Sequence, residues 1–154
     1  GFPSPLLDWT QSPFVAAYFA FYEIPTGTDR VVVNAYVEAP HGAKLASIAE
    51  PTIYKTSATA TTDRRHFMQQ AVYTVAAEQV DGNRMQFCPH ARVFERDHPA
   101  QDLLYRITLP ATERRAALRD LARSNINHFT LFQDEDALVR SLAMKTFDLQ
   151  EHPA

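Results

Sequence analysis

The sequence predicts an α+β fold, a mixed and mostly antiparallel sheet with helices packed on it. Three observations carry that expectation. Short β-branched and aromatic runs such as Arg30 to Glu38 are interleaved with helical patterns, but without the regular alternation of a doubly wound sheet. Turn signals punctuate them at Thr26-Gly27-Thr28-Asp29, Pro40-His41-Gly42 and Asp81-Gly82-Asn83. With 154 residues, 45% hydrophobic content and no internal repeat, the chain is long enough to bury a substantial core, and one domain over residues 1–154 is expected.

Leu6 to Thr10 reads as a short strand ending in the polar-aromatic tripeptide Asp8-Trp9-Thr10, and Trp9 is the only tryptophan. Ser12 can cap the helix that follows, and Pro13 at the first helical position gives up no hydrogen bond that the helix would use. Phe14 to Phe21 is apolar around the whole circumference, which predicts packing on more than one side. Pro25 ends the helix, because the residue before a proline disfavours helical angles. Arg30 to Glu38 is nearly continuous in apolar residues, so a strand covered on both faces is expected.

Leu45 to Tyr54 suits a short helical turn followed by an edge strand, and Thr56 to Thr62 an exposed polar loop. Asp63 is placed to cap a helix over Arg64 to Gln70, followed by a buried strand from Ala71 to Ala77. Met85 to Arg96 is poorly patterned, with Phe87, Val93 and Phe94 expected over the core. Asp102 to Leu109 reads as a strand bounded by Pro110. Thr112 to Ser124 reads as a helix burying Ala117, Leu118, Leu121 and Ala122, with Arg114, Arg115, Arg119 and Arg123 on solvated faces. After Asn125-Ile126-Asn127, Phe129 to Phe132 is expected as a short strand. Asp134 then caps a last amphipathic helix to about Lys145, and Glu151 to Ala154 is expected to fray.

The 15 basic and 18 acidic residues, net −3, give no general attraction to nucleic acid or anionic membrane. No apolar run reaches the roughly 20 residues of a membrane span. The single cysteine, Cys88, makes no internal disulfide, which fits a reducing compartment and a cytoplasmic location; it is read as a packed thiol. No G-x-S-x-G marks a nucleophile elbow, and four glycines provide no phosphate cradle. The six histidines lack a two-histidine helical spacing, so no metal ligand set is expected.

Phe2-Pro3-Ser4 and Leu6-Leu7-Asp8-Trp9-Thr10, running on through Pro13, Ala16 and Tyr18-Phe19-Ala20, resemble the opening block of the FRG domain family. A second block of that family, R-x-x-x-Q-x-G-x-F-T, falls on Arg65, Gln69, Ala71, Tyr73 and Thr74, with alanine where the family has glycine. A third appears as Leu131-Phe132-Gln133-Asp134-Glu135-Asp136-Ala137-Leu138, preceded by Asn125-Ile126-Asn127 in place of Gly-Ile-Asn. The resemblance implies that the Phe-Arg-Gly motif naming the family lies upstream of residue 1, so the chain is expected to lack, and to need as a partner, the first segment of its own domain.

A strand ending at Trp9-Thr10 before a packed helix, and a polar residue just ahead of the strand AVYTVAA, is similar to the layout of ADP-ribosyltransferase folds. That resemblance implies a bacterial intracellular effector of a toxin or defence system, using NAD as a substrate and holding no permanent cofactor. Gln69, Asp8 and Thr10 would be catalytic, and Trp9, Arg65, Tyr18 and Tyr73 would bind substrate. Where such transferases place a glutamate, this chain has Gln69-Gln70, which can hydrogen-bond a ribose hydroxyl but brings no negative charge to an oxocarbenium-like transition state. The alternative is a non-catalytic module recognising a protein or nucleotide-like ligand through the same cleft. Residue by residue, a structural role competes. Asp8 and Thr10 suit local bonds to the backbone, Trp9, Tyr18 and Tyr73 suit the core, and Arg65 suits a buried partner for Asp8.

Overall fold

The computed structural model describes residues 4–42, 44, 50–57, 63–82, 84–95 and 102–149. In chain order the elements are β1 (Leu7–Thr10), α1 (Pro13–Tyr22), β2 (Arg30–Val37), β3 (Thr52–Ser57), α2 (Arg64–Met68), β4 (Ala71–Val80), β5 (Arg84–Phe87), α3 (Ala91–Phe94) and β6 (Leu103–Pro110). A 3-10 turn at Ala111–Glu113 leads into α4 (Arg114–Arg123), then α5 (His128–Phe132), α6 (Glu135–Ala143) and a π-helical turn, Met144–Asp148. The helices and antiparallel pairings agree with the α+β expectation. One sheet has the order β1-β4-β3, with β5 also on β4, and β2 pairs with β6. The β3–β4 and β4–β5 ladders are antiparallel, with Ile53 opposite Ala76 and Ala77 opposite Phe87.

The chain divides into two compact units, each discontinuous in sequence. The first comprises residues 1–9, 34–58 and 72–107, and the second residues 10–33, 59–71 and 108–154. In the first unit, Ile53, Ala76 and Val93 are buried, with Tyr36, Cys88 and Phe94 packed around them. In the second, Val15, Tyr18 and Phe21 of α1 meet Leu118 and Leu121 of α4, Leu131 of α5 and Val31.

Several elements form for the reasons legible in the sequence. Ser12 caps α1 by accepting the Val15 N–H, and Pro13 stands at its start. Asp63 caps α2 through the Arg65 N–H, and Asp134 caps α6 through Ala137. Asp81 and Gly82, with φ of 45° and 76°, turn β4 into β5, where a left-handed backbone suits glycine. Among the described residues β3 is an edge strand, as its sequence suggests.

Other expectations are corrected. α1 is buried along a single stripe, Val15, Tyr18 and Phe21, at spacing i, i+3, i+6, while Phe14 is 61% exposed; apolar composition all round does not oblige all-round burial. β2 buries only Val31. β3 extends through Thr56 and Ser57, which the sequence assigns to a loop, because both pair with β4. Phe87 is 62% exposed on the short strand β5, so only Val93 and Phe94 of that region serve the core. Ala122 is exposed, and Arg114 is not a solvated side chain: it donates to the Tyr22 carbonyl at 3.2 Å and pairs with Asp148 at 3.4 Å.

The clearest correction is α5. Phe129 to Phe132 has strand composition but is helical, because Asn127 and Thr130 form a reciprocal capping box that starts a helix. Residues 45–49, the start of the stretch expected to hold a short helical turn before the edge strand, loop residues 58–62 and the fraying end at 151–154 lie outside the described residues.

Candidate functional site

The DWT tripeptide is held by side-chain bonds that reach distant parts of the chain. In the first unit, the Trp9 indole N–H donates to the Thr74 hydroxyl at 2.8 Å, and that hydroxyl shares a 2.9 Å hydrogen bond with His90 Nε2. Thr74 has no exposed surface, so its hydroxyl needs both partners. The indole lies against Tyr36 at a ring separation of 5.4 Å, and Tyr36 meets the edge of Phe94 at 6.2 Å. Burial lowers the pKa of His90, and its hydrogen bond with Thr74 opposes that shift.

In the second unit, the Thr10 hydroxyl donates to the Gln69 carbonyl at 2.7 Å and accepts the Ser12 N–H at 3.1 Å. The Gln11 N–H donates to the Gln70 carbonyl at 3.1 Å. These bonds dock the strand-to-helix junction of β1 and α1 against the helix-to-strand junction of α2 and β4. Gln69 closes α2, Gln70 adopts a positive φ of 49°, and the chain then enters β4. The Gln69 side chain turns the other way, its Nε2 donating to the Leu131 carbonyl of α5 at 3.2 Å.

The structure gives each of the predicted site residues its own surroundings. Thr10 and Gln69 meet, and Arg65, exposed one turn before Gln69 on α2, lies in the same unit. Asp8 and Trp9 belong to the other unit. Asp8 and Arg65 are both exposed, which removes the reading of Arg65 as a buried partner for Asp8. Tyr73 is half-buried beside Thr74 on β4, and strand alternation turns it to the face opposite the one that Thr74 presents to Trp9. Tyr18 is 1% exposed, with its hydroxyl 3.1 Å from His128 Nδ1, and burial raises its pKa.

Two polar groups have little signal in sequence. Asp102, with a fully buried carboxylate, accepts from the Tyr36 hydroxyl at 2.8 Å and the Ala39 N–H at 3.0 Å, and pairs with Lys44 at 2.8 Å. An acid just ahead of a strand gives no hint of a partner some sixty residues earlier. His128 is stacked on Tyr22 at 4.6 Å and tilted against Phe132 at 4.4 Å, and its pKa is lowered by burial and by the charge of Arg140. Its place directly after Asn127, the helix cap, was the available clue. Burial also pushes the Cys88 thiol up, in keeping with a packed side chain.

Among the described residues, no group of three or more His, Cys, Asp or Glu side chains is placed to hold a metal ion, and no helix is long and apolar enough to cross a membrane. The FRG domain family model matches residues 1–28, which bears out the resemblance carried by Leu6-Leu7-Asp8-Trp9-Thr10. No curated protein and no solved structure matches the chain.

Proposed function

We propose, from the FRG match over residues 1–28, that the chain acts on NAD in the manner of an ADP-ribosyltransferase-like effector. The observation that supports this reading is the bond from Thr10 to the Gln69 carbonyl, which joins the first and second FRG-like blocks within one unit. The proposed site is Thr10, Arg65 and Gln69. Gln69 commits its Nε2 to Leu131, so its carboxamide oxygen is the group offered to a ribose hydroxyl. Arg65, exposed on α2, suits a phosphate of the dinucleotide. The reaction breaks the bond between ribose C1′ and the nicotinamide nitrogen. Nicotinamide departs with the electron pair, and the hydroxyl oxygen of water or of an acceptor bonds to C1′ as its proton is lost to solvent.

A second reading, a non-catalytic module for a nucleotide-like ligand, is favoured by the charge state of Gln69. A neutral carboxamide gives little electrostatic stabilisation to a developing oxocarbenium ion. Two measurements separate the readings. Nicotinamide release from NAD by the wild-type chain, reduced in Gln69→Ala, supports the first; release at the level of buffer alone sinks it. A thermal shift with ADP-ribose tests ligand binding under both. Saturation at about 100 times Kd adds roughly 2.7 kcal/mol, which raises Tm by roughly 5–10 °C for a chain of this size. No shift at millimolar ADP-ribose rejects both.

A further inference from the structure

A cavity of about 840 Å³ opens in the second unit among α4, α5, α6 and the π-helical turn. Its size is in the range of small-molecule sites. The walls are mostly aliphatic, with Leu118, Ile126, Leu138, Leu142 and Met144 among them. Leu138 and Leu142 are exposed, Leu142 by 56%, so apolar surface faces the opening instead of closing into the core. Among the described residues its lining also holds Arg119, Arg123 and Lys145 and no acidic residue, in a chain whose net charge is −3. Arg123 has an exposed Asp120 at 3.3 Å, which lies outside the lining. The π-helical turn from Met144 to Asp148 supplies Met144, Lys145 and Thr146 to the wall, and such turns recur at functional sites.

Of the rings in the lining, His128 has Tyr22 and Phe132 packed against it and Tyr18 is 1% exposed, whereas Phe129 is 41% exposed. A ligand body meets mostly aliphatic surface with Phe129 beside it, and cationic groups for a head. We propose that this groove binds a small amphipathic anion, an aliphatic chain ending in a carboxylate, with the chain along Leu138 and Leu142 and the carboxylate at Lys145 and Arg123. The site is distinct from the one formed by Thr10, Arg65 and Gln69, and the inference does not rest on the NAD reading.

Titration calorimetry with sodium decanoate, kept below its micelle concentration at low salt, tests it on the chain itself. One-to-one binding at sub-millimolar Kd is expected. Lys145→Glu and Leu142→Asp, at exposed positions, should each weaken it at least tenfold with Tm unchanged, and decanol should bind at least tenfold more weakly than decanoate. No binding at millimolar decanoate overturns the proposal, as does binding that both variants leave intact. Equal affinity for decanol removes the anionic head from the assignment and overturns it too. ADP binding that Lys145→Glu abolishes, with decanoate inert, assigns the groove to nucleotides and overturns it likewise.

Discussion

The Thr10 hydroxyl donates to the Gln69 carbonyl at 2.7 Å while its oxygen accepts the Ser12 N–H at 3.1 Å. One side chain thus ties the end of β1 to the end of α2 and holds the residue that caps α1. Thr10→Val keeps the shape and loses both bonds, at about 1 kcal/mol each. Urea unfolding should show a loss of about 1–3 kcal/mol, with Thr10→Ser recovering most of it. Wild-type stability in the valine variant would mean that water replaces the hydroxyl without penalty.

Gln69→Glu is expected to destabilise the fold. It removes the N–H that the Leu131 carbonyl accepts at 3.2 Å and sets a carboxylate oxygen against that carbonyl. The loss should be about 1–3 kcal/mol at pH 7 and should shrink near pH 4, where the acid protonates and can donate again. A loss that does not change with pH would contradict this account of the side chain.

Thr74→Val takes the acceptor from Trp9 and a hydrogen-bonding partner from His90. The expected cost is about 1–3 kcal/mol, because a half-buried indole N–H is left unpaired. Trp9→Phe tests the same chain from the other end and should be less costly, since Thr74 keeps its bond to His90. Heteronuclear NMR of the indole N–H should show its resonance move and its exchange quicken in Thr74→Val; an unchanged resonance would refute the pairing.

Stability should fall on the acid side of neutrality. Burial lowers the pKa of both His90 and His128 below the ordinary value of 6.5. Between each lowered value and 6.5 the unfolded chain binds more protons than the folded one, so their contribution is complete above 6.5 and declines as pH falls through that window. Urea midpoints from pH 8 to 5 check it. The decline should be shallower in His90→Gln, and a midpoint rising toward pH 5 would refute the assignment.

Asp102→Ala should be the costliest of these substitutions. It leaves Lys44, the Tyr36 hydroxyl and the Ala39 N–H without their common acceptor. Removing one member of a buried ion pair costs about 3–5 kcal/mol. A loss under about 1 kcal/mol in chemical denaturation would show that water reaches the pair.

The local starts and stops of this chain are set by sequence because their causes are local. Ser12-Pro13, Asp63 and Asp134 satisfy orphan N–H groups within three residues, and Asp81-Gly82 supplies the backbone angles of a turn. The α+β class and the edge position of β3 follow from the same short-range patterns. The FRG resemblance at Leu6 to Thr10 is legible for a similar reason, since its residues are contiguous. What escaped were properties that depend on neighbours far along the chain. Asn127 and Thr130 overrode the strand preference of Phe129 to Phe132, and Phe14 and Phe87 stay exposed because burial is decided by what packs opposite them. The roles of Trp9, Thr10 and Gln69 are also tertiary. Their partners Thr74, Gln69 and Leu131 are about sixty residues distant, and only the folded chain brings a donor to an acceptor over that separation.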